Sequence, residues 1–120
     1  MRVAGIGFRP AATLASLTDA LIRAGGKADL LATAATKADA TVARELASEL
    51  GLPLVPIELA ELAHQPTLTH SPFVANRFGT GSVAEAAALA AAGQGAQLIG
   101  PRVVSGDGLA TAAIAERKEE

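Results

Sequence analysis

Short apolar runs alternate with longer runs of helical periodicity along the chain, and this alternation constrains the fold more than any other feature of the sequence. Leu14, Leu17 and Leu21 recur at the spacing of one helix face. Runs typical of strands lie at residues 2–6, 29–33, 54–57, 96–100 and 109–115. The pattern predicts an α/β fold, a single layered domain with a mixed, largely parallel sheet flanked by helices.

Glycine, proline and capping residues mark the ends of the predicted helices. These helices lie at residues 14–24, 42–50, 58–65, 72–77 and 82–92. Gly51 closes the second of them, and Ser71 followed by Pro72 opens the fourth. The step from Asp107 to Gly108 favours a tight turn, so we expect a C-terminal antiparallel hairpin.

Alanine dominates the hydrophobic part of the composition. Hydrophobic residues make up 50% of the 120 residues, while Phe, Trp and Tyr together make up 2%. A core of small and aliphatic side chains lets helices pack close to their neighbours. The length suits one compact domain. We place this domain at residues 1–115 and expect 116–120 to form a frayed, charged tail.

Charge and composition exclude several classes of protein. The net charge is -2, with 10 basic and 12 acidic residues, which argues against a nucleic-acid partner or a membrane-surface patch. The chain has no cysteine, which excludes disulfides and thiol catalysis. We see neither a membrane span nor a signal peptide and expect a cytoplasmic protein. His64 and His70 lack a metal-ligand spacing, so we expect no metal site and no cofactor.

The most unusual stretch is FGTGSVAEAAALAAAG, in which two glycines and a serine directly precede an alanine-rich helix. Ser82 and Glu85 fit a capping box, in which the Glu85 side chain reaches back to the Ser82 amide. Gly79, Thr80 and Gly81 expose amides beside a helix N-terminus, where a carboxylate or phosphate is stabilised. Two interpretations stay open: a loop that only turns and caps, or an anion-binding cradle.

Two basic residues are predicted to lie at one edge of the sheet. Arg9 follows the first strand and Lys37 the second, and open α/β sheets bind ligands beyond the carboxyl ends of their strands. Gly5 and Gly7 do not complete a dinucleotide fingerprint, because the third glycine position is Pro10. We therefore expect an anion-tolerant rim without a nucleotide. The plain alternative is that both cations are solvated surface charges.

Three segments resemble one protein family. They are Gly5 to Arg9, Thr-Lys-Ala-Asp at residues 36–39, and above all GTGSVAEAAAL at 79–89, followed by Pro101-Arg102 and Ser105-Gly106. Over nearly the whole chain they resemble the C-terminal domain of CbiG and the free-standing CobE proteins of cobalamin biosynthesis. The chain departs from that family's pattern at three positions: Phe8, where cysteine is usual, Ala40, where glutamate is frequent, and Arg102, where lysine is frequent.

The resemblance implies a protein of corrin-ring synthesis that binds or hands on a precorrin-type tetrapyrrole. The lactone-opening chemistry associated with CbiG is assigned to a region outside this domain, so an accessory binding protein is implied more than a hydrolase. Such a ligand is a flat macrocycle fringed with carboxylates, which needs basic side chains, backbone amides and an apolar floor. The predicted ligand-binding residues are Gly7, Phe8, Arg9, Lys37, Gly79, Thr80, Gly81, Ser82 and Glu85.

Two other functions stay open. One is an enzyme that acts on a precorrin, a hydrolase or isomerase that uses Lys37 or Glu85. The other is a docking partner of another cobalamin-biosynthesis enzyme, for which an exposed apolar patch on the alanine-rich helix is the expected signature. Turnover of a precorrin would identify the enzyme, and co-purification with a pathway enzyme would identify the docking partner.

Overall fold

The computed structural model of the protein describes residues 1–118, which form one sheet with helices on both faces. The strands are β1 (Arg2–Phe8), β2 (Leu30–Ala34), β3 (Leu54–Ile57), β4 (Gln97–Leu98), β5 (Val103–Val104) and β6 (Ala110–Glu116). The α-helices are α1 (Leu14–Ala24), α2 (Thr41–Leu50), α3 (Leu59–Ala63), α4 (Pro72–Phe78) and α5 (Val83–Ala92). A 3₁₀ turn, Ala35–Lys37, follows β2. None of the helices in this part of the chain has the length and apolar character needed to cross a membrane.

The strands lie in the order β3-β2-β1-β6-β4, and β5 also pairs with β6. The first three strands of the chain run parallel, with Val3 opposite Leu30 and Leu31 opposite Leu54. β6 runs antiparallel to β1 along its whole length and pairs on its other side with β4 and β5. The predicted α/β fold, a mixed sheet flanked by helices with an antiparallel C-terminal hairpin, is confirmed.

Each face of the sheet is covered by its own hydrophobic layer. On one face, α1 and α2 contribute Leu17, Leu21 and Leu46. On the other face, α3 contributes Leu62 and α5 contributes Leu89. Successive residues of β1 alternate between the two layers, as the strand period requires.

The helix α5 lies directly on β1, because glycine and alanine leave room for it. A methyl group added at Gly5 would lie 1.8 Å from the carbonyl oxygen of Ala84 and 2.7 Å from the nitrogen of Ala88. Every residue of α5 from Val83 to Leu89 is buried. The close packing expected from the alanine-rich composition is therefore found at the centre of the molecule.

The strand boundaries differ from the predicted ones in several places. β1 continues through Gly7 to Phe8, beyond the predicted end at Ile6. The strand predicted at 96–100 is two residues long, and no sequence pattern predicts β5, because a strand this short has no periodicity. β6 reaches Glu116, where the predicted tail begins, and residues 119 and 120 of that tail lie outside the described residues.

Hydrogen bonds centred on Asp107 join the turn between β5 and β6 to α1. The Asp107 carboxylate accepts hydrogen bonds from the Ser105 hydroxyl at 2.6 Å, the Ser16 hydroxyl at 2.5 Å and the Leu109 amide at 3.0 Å. These hydrogen bonds, that from Ser105 first, lower the pKa of Asp107 to about 2. Gly108 completes the turn with a φ of +75°, which glycine adopts without strain. The hairpin is thereby fixed against α1.

The strand β3 forms one edge of the sheet. It is four residues long and includes Pro56, which lies opposite Thr33 of β2. Proline is tolerated here because an edge strand needs hydrogen bonds on one side only.

Candidate functional site

A cleft opens at the edge of the sheet where β1 and β2 end. It has a volume of about 200 Å³. Part of its wall is formed by Gly7 and Phe8 from β1, Thr33 from β2 and Lys37 from the 3₁₀ turn. The rest of the wall comes from α4, the start of α5 and the β5–β6 hairpin. This is the edge at which open α/β sheets bind ligands.

The aromatic residues of the protein are concentrated at this cleft. The chain has three phenylalanines and no tyrosine or tryptophan, and Phe8, Phe73 and Phe78 all line the cleft. Phe73 is 58% exposed. A large apolar ring that is left in water at the mouth of a cleft offers a flat surface to a ligand.

Lys37 is half-buried, with its ammonium group against Phe8. Its Nζ donates a hydrogen bond to the Phe8 carbonyl oxygen at 2.9 Å and lies 4.8 Å from the centre of the Phe8 ring. Burial of the amine, assisted by repulsion from Arg77, lowers the pKa of Lys37 from its ordinary value. An ammonium group has three donors, so two remain for a ligand.

Three arginines accompany Lys37 around the cleft. Arg9 and Arg77 approach the same ring, with guanidinium carbons 5.7 and 5.6 Å from the centre of Phe73. Arg102 lines the cleft itself. Among residues 1–118, none that lines the cleft is acidic, so the cleft presents positive charge in a protein whose net charge is negative.

Glu85 is fully buried in α5 and joins two segments to that helix. Its carboxylate accepts hydrogen bonds from the Leu68 amide at 2.6 Å, the Thr69 amide and hydroxyl at 2.9 and 2.5 Å, and the Arg102 amide at 2.7 Å. Burial raises the pKa of Glu85, but the hydrogen bonds outweigh it, and the net shift of this pKa is downward. The main chain of Arg102 is thus fixed to α5.

The capping box predicted at the start of α5 forms only in part. The Ser82 hydroxyl accepts a hydrogen bond from the Glu85 amide at 3.3 Å, as predicted. The Glu85 carboxylate points instead to the two segments that it joins. A complete capping box occurs in α1, where Thr13 and Ser16 exchange hydrogen bonds.

The glycine-rich turn before α5 lies beside the cleft. Gly79, Thr80 and Gly81 line a separate depression together with Ser71. The Gly81 carbonyl accepts a hydrogen bond from the Ser71 amide at 2.9 Å, and a methyl group at Gly81 would lie 2.3 Å from the carbonyl oxygen of Thr69. The Thr80 hydroxyl is buried and has no hydrogen-bond partner among residues 1–118. Close packing against a neighbouring segment therefore explains the glycine at position 81.

The structure brings four of the nine predicted binding residues into one cleft, namely Gly7, Phe8, Arg9 and Lys37. The other five lie elsewhere: Gly79, Thr80 and Gly81 in the neighbouring depression, and Ser82 and Glu85 in the interior. In the part of the chain that the structure describes, no three His, Asp or Glu residues cluster closely enough to hold a metal ion.

Sequence reasoning did not assign Arg77, Arg102 and Phe78 to the site. The rule that placed Arg9 and Lys37 applies to residues that directly follow parallel strands. The missed residues belong to α4 and to the segment before β5, which reach the cleft through tertiary packing alone. Their charge and aromatic character were visible in the sequence, but their position was not.

The fold and the cleft define an α/β domain with a cationic, aromatic-lined site at the carboxyl edge of its parallel strands. The family described as Cobalamin synthesis G C-terminus matches residues 2–115, and the chain belongs to that family. The resemblance inferred from the sequence is therefore confirmed.

Two solved structures resemble the whole chain. The crystal structure of CobE, a protein from the cobalamin (vitamin B12) biosynthetic pathway, is 32% identical in sequence, with a TM-score of 0.83 over 100% of this chain and 92% of that one. The crystal structure of the cobalamin biosynthesis protein ChiG from Agrobacterium tumefaciens is 37% identical, with a TM-score of 0.72 over 99% of this chain and 100% of that one. No curated protein gives a significant match. The protein is thus a member of a cobalamin-biosynthesis family.

Proposed function

We propose that this protein binds a precorrin-type tetrapyrrole intermediate of corrin-ring synthesis at the cleft and holds it or hands it on to another cobalamin-biosynthesis enzyme. One observation carries the proposal: the cleft combines every phenylalanine of the chain with basic side chains and no acidic one among the described residues. A precorrin has a flat apolar ring and a fringe of acetate and propionate groups. Its two kinds of surface match the two kinds of side chain in the cleft.

The size of the cleft favours partial enclosure of such a ligand. At about 200 Å³ the cleft is smaller than the ~300–1,000 Å³ of pockets that enclose most of a small molecule. One edge of the macrocycle would therefore enter the cleft, and the rest would stay accessible. A protein that hands on its ligand needs part of that ligand to stay accessible to the next enzyme.

Each residue of the cleft has a proposed role that follows from its contacts. Lys37 and Arg9 bind carboxylates, and the ring of Phe8 contacts the macrocycle. Gly7 leaves room for the Thr111 side chain, because a methyl group at position 7 would lie 2.7 Å from the Thr111 hydroxyl. Glu85 contributes indirectly, because its hydrogen bonds lie inside the protein.

The glycine-rich turn has a supporting role in this proposal. Ser82 caps α5, whose first residue, Val83, lines the cleft. Gly79, Thr80 and Gly81 connect α4 to α5, and α4 carries Phe73 and Phe78. The turn therefore sets the distance between two walls of the cleft.

The test is a titration of the purified protein with tetrapyrrole intermediates of corrin synthesis, followed through the visible absorbance of the ligand. We expect one intermediate to give a saturable spectral shift. Lys37→Ala should weaken this binding by about tenfold, the equivalent of one charge-assisted hydrogen bond. The matched control is Lys27→Ala, which removes an exposed lysine outside the cleft and should leave the affinity within about twofold.

Two results would contradict the proposal. The first is that no intermediate gives a spectral shift, even at ligand concentrations in the high micromolar range. The second is an equal loss of affinity in Lys37→Ala and Lys27→Ala, which would place binding outside the cleft.

The enzyme alternative has one observation in its favour, the lowered pKa of Lys37 in a cleft. Glu85, its other predicted catalytic residue, has no exposed surface. The same titration tests this alternative, because turnover would appear as a spectral change that continues after binding is complete. The docking alternative predicts an exposed apolar patch on the alanine-rich helix. The structure does not have this patch, because no residue of α5 is exposed.

A further inference from the structure

Four basic side chains surround the cleft without an acidic partner among residues 1–118: Arg9, Lys37, Arg77 and Arg102. The side-chain ion pairs that the structure describes lie elsewhere, between Arg2 and Glu116 and between Arg23 and Asp19. Repulsion among the four is direct in one case, because Arg77 contributes to the lowered pKa of Lys37. A cluster of unpaired like charges is unfavourable until an anion joins it.

The backbone acceptors at the end of β1 are already occupied by donors. Each of its last three carbonyl groups accepts a hydrogen bond from a side chain: Ile6 from Thr33 at 2.8 Å, Gly7 from Thr111 at 3.4 Å and Phe8 from Lys37 at 2.9 Å. Each threonine hydroxyl has thereby given its one hydrogen to a carbonyl, so the side-chain donors left for a ligand at this wall are those of Lys37. A carboxylate suits those donors, because it accepts hydrogen bonds and carries the opposite charge.

The arginines keep their donors available for such a group. Arg9 and Arg77 lie at the rim with their guanidinium groups over the ring of Phe73. Neither side chain has a hydrogen-bond or ion-pair partner among residues 1–118, so the five N–H groups of each guanidinium are available to a ligand. Arg102 starts from a fixed position, because its amide is bound by the buried carboxylate of Glu85. Planar guanidinium groups match carboxylates with two parallel hydrogen bonds.

We infer that Arg77 and Arg102 complete, with Arg9 and Lys37, the set of side chains that binds the carboxylates of the ligand. The inference rests on the proposed function and adds two residues to its site. A carboxylate offsets the positive charge of this cluster and offers two acceptor oxygens, whereas an amide is neutral and offers one.

The experiment compares three stable probes, followed by absorbance or by competition. The first is uroporphyrin, a flat tetrapyrrole with an acetate and a propionate on every pyrrole. The second is the same porphyrin with every carboxylate converted to a primary amide, and the third is benzenehexacarboxylate, which is an anion without a tetrapyrrole. We expect uroporphyrin to bind at least ~100-fold more tightly than its amide, the equivalent of losing two or more charged contacts.

Two variants locate the preference. Arg77→Ala and Arg102→Ala should each weaken uroporphyrin binding by about tenfold and leave binding of the amide unchanged. Arg44→Ala, which removes an arginine on α2 outside the cleft, is the matched control and should change neither. A loss in Arg44→Ala equal to that in the other two would overturn the assignment of Arg77 and Arg102.

The outcomes separate this inference from the proposed function. Equal affinity for uroporphyrin and its amide overturns the inference while tetrapyrrole binding stands. Binding of benzenehexacarboxylate as tight as that of uroporphyrin overturns the tetrapyrrole function while the preference for carboxylates stands. Binding of none of the three probes overturns both.

Discussion

Glu85 carries a carboxylate in the interior of the protein, where neutral donors from Leu68, Thr69 and Arg102 surround it. We expect Glu85→Gln to lower the free energy of unfolding by about 3 kcal/mol, because an amide leaves buried donors without an acceptor. Chemical unfolding followed by far-ultraviolet circular dichroism measures this change. Glu45→Gln, at a surface position of α2, is the control, and an equal effect there would contradict the assigned role.

The pH dependence of stability provides a separate test at the same residue. The folded protein lowers the pKa of Glu85 from its ordinary 4.5, so the unfolded chain binds the proton more readily. The stabilisation is therefore complete above about pH 4.5 and is lost as the pH falls through the lowered pKa. The difference in unfolding free energy between the wild type and Glu85→Gln should shrink over that acid range, and a difference independent of pH would contradict the assignment.

The coupling between Lys37 and Arg77 can be measured without any ligand. Arg77 helps to lower the pKa of Lys37, after the larger effect of burial. Arg77→Ala should therefore raise the pKa of Lys37 toward its ordinary value, because a like charge is removed. An NMR titration of the Lys37 side chain measures the shift. As a control, Arg23→Ala removes an arginine that is paired with Asp19 and should leave the pKa of Lys37 unchanged. If Arg77→Ala also left the pKa of Lys37 unchanged, the expected repulsion between Arg77 and Lys37 would be contradicted.

At the level of elements, the contact between α5 and β1 is the tightest feature of the fold. Gly5→Ala would place a methyl group 1.8 Å from the Ala84 carbonyl oxygen. This oxygen belongs to the backbone of α5, so it cannot rotate away as a side chain could. We expect a loss of at least ~3 kcal/mol in unfolding free energy, the upper end of overpacking costs. Gly100→Ala has open space around the added methyl and should change stability by less than ~0.5 kcal/mol; similar losses in both variants would contradict this view of the contact.

Local signals predicted the helices well and the last strands poorly. Ser71 caps α4 and Ser82 caps α5, as their sequence positions suggest, because a cap depends on residues within one turn. β4 and β5 exist because β6 offers them hydrogen-bond partners, and that partner lies outside their own sequence. Glu85 does not complete the predicted capping box for the same reason. The groups that donate hydrogen bonds to its carboxylate lie in segments about 17 residues away along the chain.

For the molecule as a whole, the sequence predicted the edge of the sheet that carries the cleft but only part of its wall. Arg9 and Lys37 could be placed together because parallel strands end at one edge. Arg77 and Arg102 join them through the packing of α4 and the hairpin, which no periodicity encodes. The glycine-rich turn suggested an anion cradle in the sequence, while the structure places positive charge in the cleft beside it.

The edge strand β3 affects how copies of this protein behave toward one another. An open sheet edge can add a strand from a second molecule, and such addition is a common start of aggregation. With only four residues and a proline at position 56, β3 offers an incoming strand few N–H donors and a rigid ring. A sheet held together largely by small side chains is thereby protected from extending itself into a neighbouring copy.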